Sequence, residues 1–176
     1  MKNIILCGFM GSGKTTLAKE LSKKLNMPLI DTDEEIVKAE GRSIAEIFEK
    51  DGESYFRALE TRLIERLSER EGNIISLGGG LAANKENHPY LKKAGIVILL
   101  DCGTEETLRR IADDPTRPLT AGGKEDIIAR YSIRKPIYES VADIIIDSSK
   151  SIEETLNLTL EKLKNQEHFR VWSLVI

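Results

Sequence analysis

The first residues able to do chemistry stand at the start of the chain. Gly8 and Gly13 bracket four residues and are followed by Lys14 and Thr15, a G-x-x-x-x-G-K-T pattern with Gly11 and Ser12 inside it. Glycines at 8, 11 and 13 let the backbone wrap so that successive N–H groups face phosphate oxygens. A helix opening near Lys14 adds the positive end of its dipole to the same place. Lys14 can then reach the β/γ-phosphates, and Thr15 can offer its hydroxyl to Mg²⁺. The apolar run Ile4-Ile-Leu-Cys7 before the motif and Leu17, Leu21 and Leu25 after it supply the strand and helix that the motif needs. This stretch predicts a nucleoside-triphosphate site.

Other candidates are weaker alone. Asp31 and Asp33 lie two residues apart after a short apolar run, so one could hold hydrated Mg²⁺ and the other face an acceptor hydroxyl. The same pair could simply cap the next helix. Ser76 precedes Gly78, Gly79 and Gly80, where backbone N–H groups would be open to a close ligand, or where the chain merely turns. Arg57, with Glu60 three residues on, suits a surface ion pair as well as a site. Arg134 precedes Lys135-Pro136, and Arg117 sits in a Gly/Pro-rich stretch, the placement of a lid arginine at a transferring phosphoryl group. Taken singly, each arginine reads as a solvated surface residue.

Something must position these groups. Short apolar runs at 4–7, 28–31, 73–77, 96–101 and 143–147 read as strands. Between them lie helical patterns: one after the glycine loop, then about 33–40, 44–48, 53–70, 84–94, 104–112 and 124–141, the last kinked or split by Pro136. Capping boxes at Ser43-Ile-Ala-Glu46 and Ser151-Ile-Glu-Glu154 open the helices at 44 and 152. Strand–helix alternation implies an α/β fold of three layers: a five-stranded parallel sheet with helices on both faces and ligands at the strands' carboxyl ends. Asp101 should stand on that same rim.

Composition bounds the answer without choosing it. The chain has 176 residues, enough for one domain, with 40% hydrophobic and 31% charged residues. A net charge of −3 gives a nucleic-acid partner no support, and no apolar run is long enough to span a membrane. Met1 runs straight into the first strand, so no leader is expected, and the location expected is cytoplasmic. Cys7 and Cys102 lack C-x-x-C spacing and read as buried reduced thiols, and His88 and His168 stand apart. The apolar tail 168–176 has no assignment.

Together the motifs resemble the shikimate kinase family, small P-loop kinases of the nucleoside-monophosphate-kinase type. The matching pieces are the glycine loop, Asp31-Thr-Asp33, the stretch Ile47-Phe-Glu-Lys-Asp-Gly-Glu-Ser-Tyr-Phe-Arg-Ala-Leu-Glu60, Ser76-Leu-Gly-Gly-Gly80, Arg117-Pro-Leu119, and Arg134-Lys-Pro-Ile-Tyr138 followed by Ala142-Asp143, in family order. The loop is generic, whereas the rest of the set is specific and lifts the arginines above their individual readings. The resemblance implies a single P-loop kinase domain over 1–176, with a substrate-binding segment at about 33–60 and a lid at about 113–123. It implies ATP-dependent, Mg²⁺-assisted phosphorylation of the shikimate 3-hydroxyl by a monomer.

Carried over by position, Gly8, Gly11, Ser12, Gly13, Lys14, Thr15, Thr16, Arg110 and Arg117 would bind the nucleotide, with Arg110 on adenine. Asp33, Arg57, Glu60, Gly78, Gly79, Gly80 and Arg134 would bind shikimate, the two arginines clamping its carboxylate. Thr15, Asp31 and Ser76 would hold Mg²⁺, and Lys14, Asp33 and Arg117 would be catalytic. Ala18-Lys19 and Thr120 depart from the family pattern in small ways. A gluconate-type or nucleoside-monophosphate kinase is the nearest alternative. A GTPase would call for an N-K-x-D-like segment, which is missing, and intact Lys14, Thr15, Asp31, Asp33 and Arg117 speak against a non-catalytic relative.

Overall fold

The computed structural model describes residues 2–112 and 123–166. Five strands form one parallel sheet: β1 (Asn3–Cys7), β2 (Leu29–Asp31), β3 (Ile74–Ser76), β4 (Gly95–Asp101) and β5 (Ile144–Asp147). Their spatial order is β2-β3-β1-β4-β5, which puts the glycine-loop strand in the middle. The helices are α1 (Lys14–Leu25), α2 (Thr32–Glu40), α3 (Ile44–Leu67), α4 (His88–Ala94), α5 (Gly103–Ala112), α6 (Gly123–Val141) and α7 (Ile152–Lys164).

Alternation along the strands sorts their side chains onto two faces. Ile4, Leu6, Ile98, Leu100, Ile144 and Ile146 pack against Leu17, Ala18 and Leu21 of α1 and Leu163 of α7. Ile5, Cys7, Val97 and Leu99 pack on the opposite side, against Phe56 and Ile64 of α3, Leu91 of α4, and Ile127 and Tyr138 of α6. Both faces of β1 and β4 are thus covered, as their unbroken apolar runs require. Cys7 is sealed in this way, and burial pushes its thiol up to about 12, so it stays a protonated, inert core group.

At the amino ends of the strands one side chain ties the layers together. Asn3 is fully buried; its Nδ2 donates to the carbonyls of Arg70 (2.7 Å) and Ala94 (2.9 Å), and its Oδ1 accepts from Asn73 N (3.0 Å).

Several element boundaries differ from expectation for physical reasons. The two helices expected at 44–48 and 53–70 are both present and meet at a break at Gly52 (φ 83°, ψ 171°) within α3, the first running on to the break and the second ending at Leu67. A left-handed joint of this kind is cheap only for glycine. The stretch expected as a helix from 84 opens with short 3₁₀ turns at Leu81–Ala83 and Lys85–Asn87, and α4 begins only at His88, with Pro89 in its first turn. Pro136 does not split α6, which runs through it to Val141. Lys135 and Tyr138 are fastened on either side of the proline, at Asp101 and the Gly79 carbonyl, and these tertiary anchors outweigh the missing helical bond. The lid expected at 113–123, except Gly123, and the tail 168–176 lie outside the described residues.

Candidate active site

The carboxyl ends of the strands open into a cleft of about 850 Å³. Its floor is the turn from β1 into α1. Gly8 (φ 144°), Gly11 (φ 76°) and Gly13 (φ 91°) hold backbone conformations that side chains rarely adopt, and at Gly8 a Cβ would also strike the Leu100 carbonyl. Gly13 caps α1 without any side-chain hydrogen bond, so the first-turn amides of α1 have no side-chain cap to satisfy them. Lys14 Nζ arches back over the loop, donating to the carbonyls of Gly8 (3.0 Å) and Phe9 (2.9 Å).

Facing the loop is the turn Gly78–Gly80, and three different elements are fastened to its three residues. At Gly78, the buried Thr32 hydroxyl accepts from the backbone N–H (2.8 Å), and the Asp33 carboxylate packs so close that a Cβ would overlap it. At Gly79, the Tyr138 hydroxyl of α6 donates to the carbonyl (2.6 Å). At Gly80, the Arg57 guanidinium of α3 fills the space where a Cβ would be. Triple glycine is therefore a docking strip for α2, α6 and α3 rather than a slack turn.

Arg57 Nη1 donates to Glu60 Oε2 (2.7 Å). Glu60 is buried, and its Oε1 has no hydrogen-bond partner among protein atoms. Burial raises its carboxyl to about 7, with Arg57 and Arg134 pulling down and Asp33 pushing up. Arg134 enters the same cleft from α6, its Cζ 6.0 Å from the Phe9 ring centroid. On the far side, Arg110 lies across the loop, donating to Glu106 (2.7 Å) and to the carbonyls of Gly11 (3.1 Å) and Ser148 (2.7 Å).

Apart from Gly8, which shapes the loop from below, every site residue expected from sequence within the described region lines this one cleft: Gly11 to Thr16, Asp31, Asp33, Arg57, Glu60, Ser76, Gly78 to Gly80, Arg110 and Arg134. Arg117 lies outside the described residues. Both readings of Asp31 hold at once, since its Oδ1 accepts from the amides of Asp33 (3.0 Å) and Glu34 (3.4 Å) while the residue lines the cleft. Asp101 does not line it. Its carboxylate turns aside to Tyr131 (2.5 Å), Lys135 (2.7 Å) and Gly103 N (3.0 Å), tying α5 and α6 to β4.

The sequence also gave no warning of Met10, Ile44 and Phe48 on the apolar wall, or of Ser148, Lys150 and Ile152 on the Arg110 side. Among the described residues no group of three or more His, Cys, Asp or Glu could hold a metal. Thr15, Asp31 and Ser76 instead offer two hydroxyls and one carboxylate along the cleft, hard oxygen donors that suit a largely hydrated Mg²⁺.

The glycine loop thus shares one cleft with two arginines and a carboxylate. The family model for shikimate kinase matches residues 10–164. The chain belongs to the shikimate kinase family. A shikimate kinase from Caldicellulosiruptor bescii is 46% identical over 142 residues, covering 80% of this chain and 83% of its own. The crystal structure of shikimate kinase from Aquifex aeolicus superposes with a TM-score of 0.83 at 42% identity, covering 92% of this chain and 96% of that one. Shikimate kinase from Acinetobacter baumannii in complex with shikimate gives 0.80 at 34% identity, covering 92% and 94%. Membership of the shikimate kinase family makes this chain an ATP-using kinase that phosphorylates shikimate.

Proposed function

We propose that this enzyme transfers the γ-phosphoryl group of ATP to the 3-hydroxyl of shikimate, with the cleft residues in the following roles. The loop amides and Lys14 bind the triphosphate, and Lys14 offsets charge that builds on the transferring group. Arg110 lies where it can cover the base. Arg57 and Arg134 hold the substrate carboxylate, and the Gly78–Gly80 backbone sets the height of the ring above the turn. Asp33 binds the acceptor hydroxyls. Because phosphoryl transfer passes through a loose transition state, holding the hydroxyl in line matters more than removing its proton early. Thr15, Asp31 and Ser76 would hold Mg²⁺, which would supply positive charge against the phosphates.

The Arg117-Pro118-Leu119 sequence supports a further cation at the γ-phosphoryl, within a lid at about 113–123 of one kinase domain whose substrate-binding segment is about 33–60. The free, buried thiols of Cys7 and Cys102 suit a reducing compartment and so support a cytoplasmic location.

The observation that carries the roles is the placement of Asp33, Arg57 and Arg134 around one glycine turn facing the phosphate loop. A hydroxy-carboxylate acceptor has a group for each. The test is ADP release with Mg·ATP and three acceptors: shikimate, gluconate and a nucleoside monophosphate. Turnover with shikimate alone is expected. Comparable turnover with gluconate would mean that the arginines accept any sugar acid and would sink the assigned substrate geometry.

A further inference from the structure

The Arg57 guanidinium is held from two sides. Glu60, three residues ahead, takes Nη1 (2.7 Å), while Glu53, four residues behind, takes both Nε (3.1 Å) and Nη2 (2.7 Å) on a single oxygen. The two carboxylates are unlike: the Glu60 side chain is 1% exposed and that of Glu53 is 65% exposed. Glu53 begins the second segment of α3, directly after the Gly52 break, where an acidic residue suits a helix N-terminus. The i, i+4 spacing with Glu first is the favourable orientation for such a pair.

A guanidinium carries five N–H groups, and these contacts use three. One hydrogen remains on Nη1 and one on Nη2, the pair that meets a carboxylate two-on-two. We propose that Glu53 is a positioning residue for substrate: with Glu60 it locks Arg57 against Gly80, so that the two unused N–H groups are presented to the substrate carboxylate. Glu53 lines an outer groove with Ser54, Ala58 and Asn84, behind the cleft wall, whereas Arg57 borders both spaces. It therefore acts through the arginine and does not touch the acceptor. Burial works against the Arg57 cation, yet its two carboxylate partners hold its pKa above the ordinary value; Arg57 in turn lowers that of Glu53.

The assignment rests on shikimate being the acceptor, so wild-type turnover of shikimate is measured in the same series as Glu53→Ala, Glu53→Gln and the double variant Glu53→Ala/Arg57→Ala. In Glu53→Ala the KM for shikimate rises about fivefold, the most that an exposed ion pair usually carries. The kcat, the KM for ATP and the melting temperature stay near wild type. Glu53→Gln, whose amide oxygen can accept the same two bonds, restores the KM to within about twofold. Measured against Arg57→Ala alone, the double variant shows no further change. An unchanged or lowered KM in Glu53→Ala overturns the proposal, the latter because Glu53 would then be competing with substrate. An equal rise in both single variants at Glu53 also overturns it, because lost charge alone would explain the effect. If the wild type does not phosphorylate shikimate, the substrate assignment fails instead.

Discussion

Glu60 is the buried carboxyl beside Arg57 in the cleft. Its folded-state pKa is about 7 because burial disfavours the anion more than Arg57 supports it. The folded chain therefore binds this proton more tightly than the unfolded chain, where the value is near the 4.5 of a free side chain. The stability that the proton confers is complete below about 4.5 and is lost as pH rises through about 7. Comparing melting temperatures of wild type and Glu60→Gln from pH 4.5 to 8, wild type should lose ground steadily across that window. A difference independent of pH would show that Glu60 is already ionised throughout. Its spacing made the residue legible as an i, i+3 partner of Arg57, and the family resemblance set it at the substrate; its burial, and hence its perturbed titration, depends on α3 packing against the glycine turn.

At the scale of elements, the Gly78–Gly80 turn makes a graded prediction. A methyl group at Gly78 would collide with Asp33 and one at Gly80 with Arg57, whereas at Gly79 nothing lies within 4 Å. Gly78→Ala and Gly80→Ala should each raise the shikimate KM by tenfold or so, consistent with about 1.4 kcal/mol of displaced binding geometry; Gly79→Ala should change it little. Steady-state kinetics on the three variants decide the matter, and equal effects at all three would mean that the turn acts through flexibility alone.

The strands and most helices were legible because apolar runs, capping boxes and the phosphate loop are local chemistry. The 3₁₀ turns before α4 were not, since they depend on what the neighbouring segments pack against. Asp101 does stand at the carboxyl end of β4 as expected, but its carboxylate is held by Tyr131 and Lys135, about thirty residues later, which no local pattern announces. Ser148, Lys150 and Ile152 have no local signature and reach the cleft only because β5 ends beside Arg110.

Across the whole molecule, chemistry and stability are held at opposite ends of the sheet. The carboxyl ends carry the cleft, while the amino ends carry the Asn3 staple. Removing the Asn3 side chain leaves the buried carbonyl of Ala94 and the amide of Asn73 without their partner. Asn3→Ala should therefore cost about 2 to 3 kcal/mol in urea unfolding with both KM values unchanged; a large change in either KM would show that the two ends are coupled. The central position of β1 also has a consequence for synthesis. Ile4 pairs with Ile74 on one side and Ile96 on the other, so the strand emerges from the ribosome long before either neighbour exists. At about 5 to 20 residues per second the wait for β3 is roughly 4 to 14 seconds. Through that interval Ile4, Ile5 and Leu6, apolar on both faces, have no polar side to show to water. Yield in the cell is then set by what shelters these few residues while the rest of the chain is made.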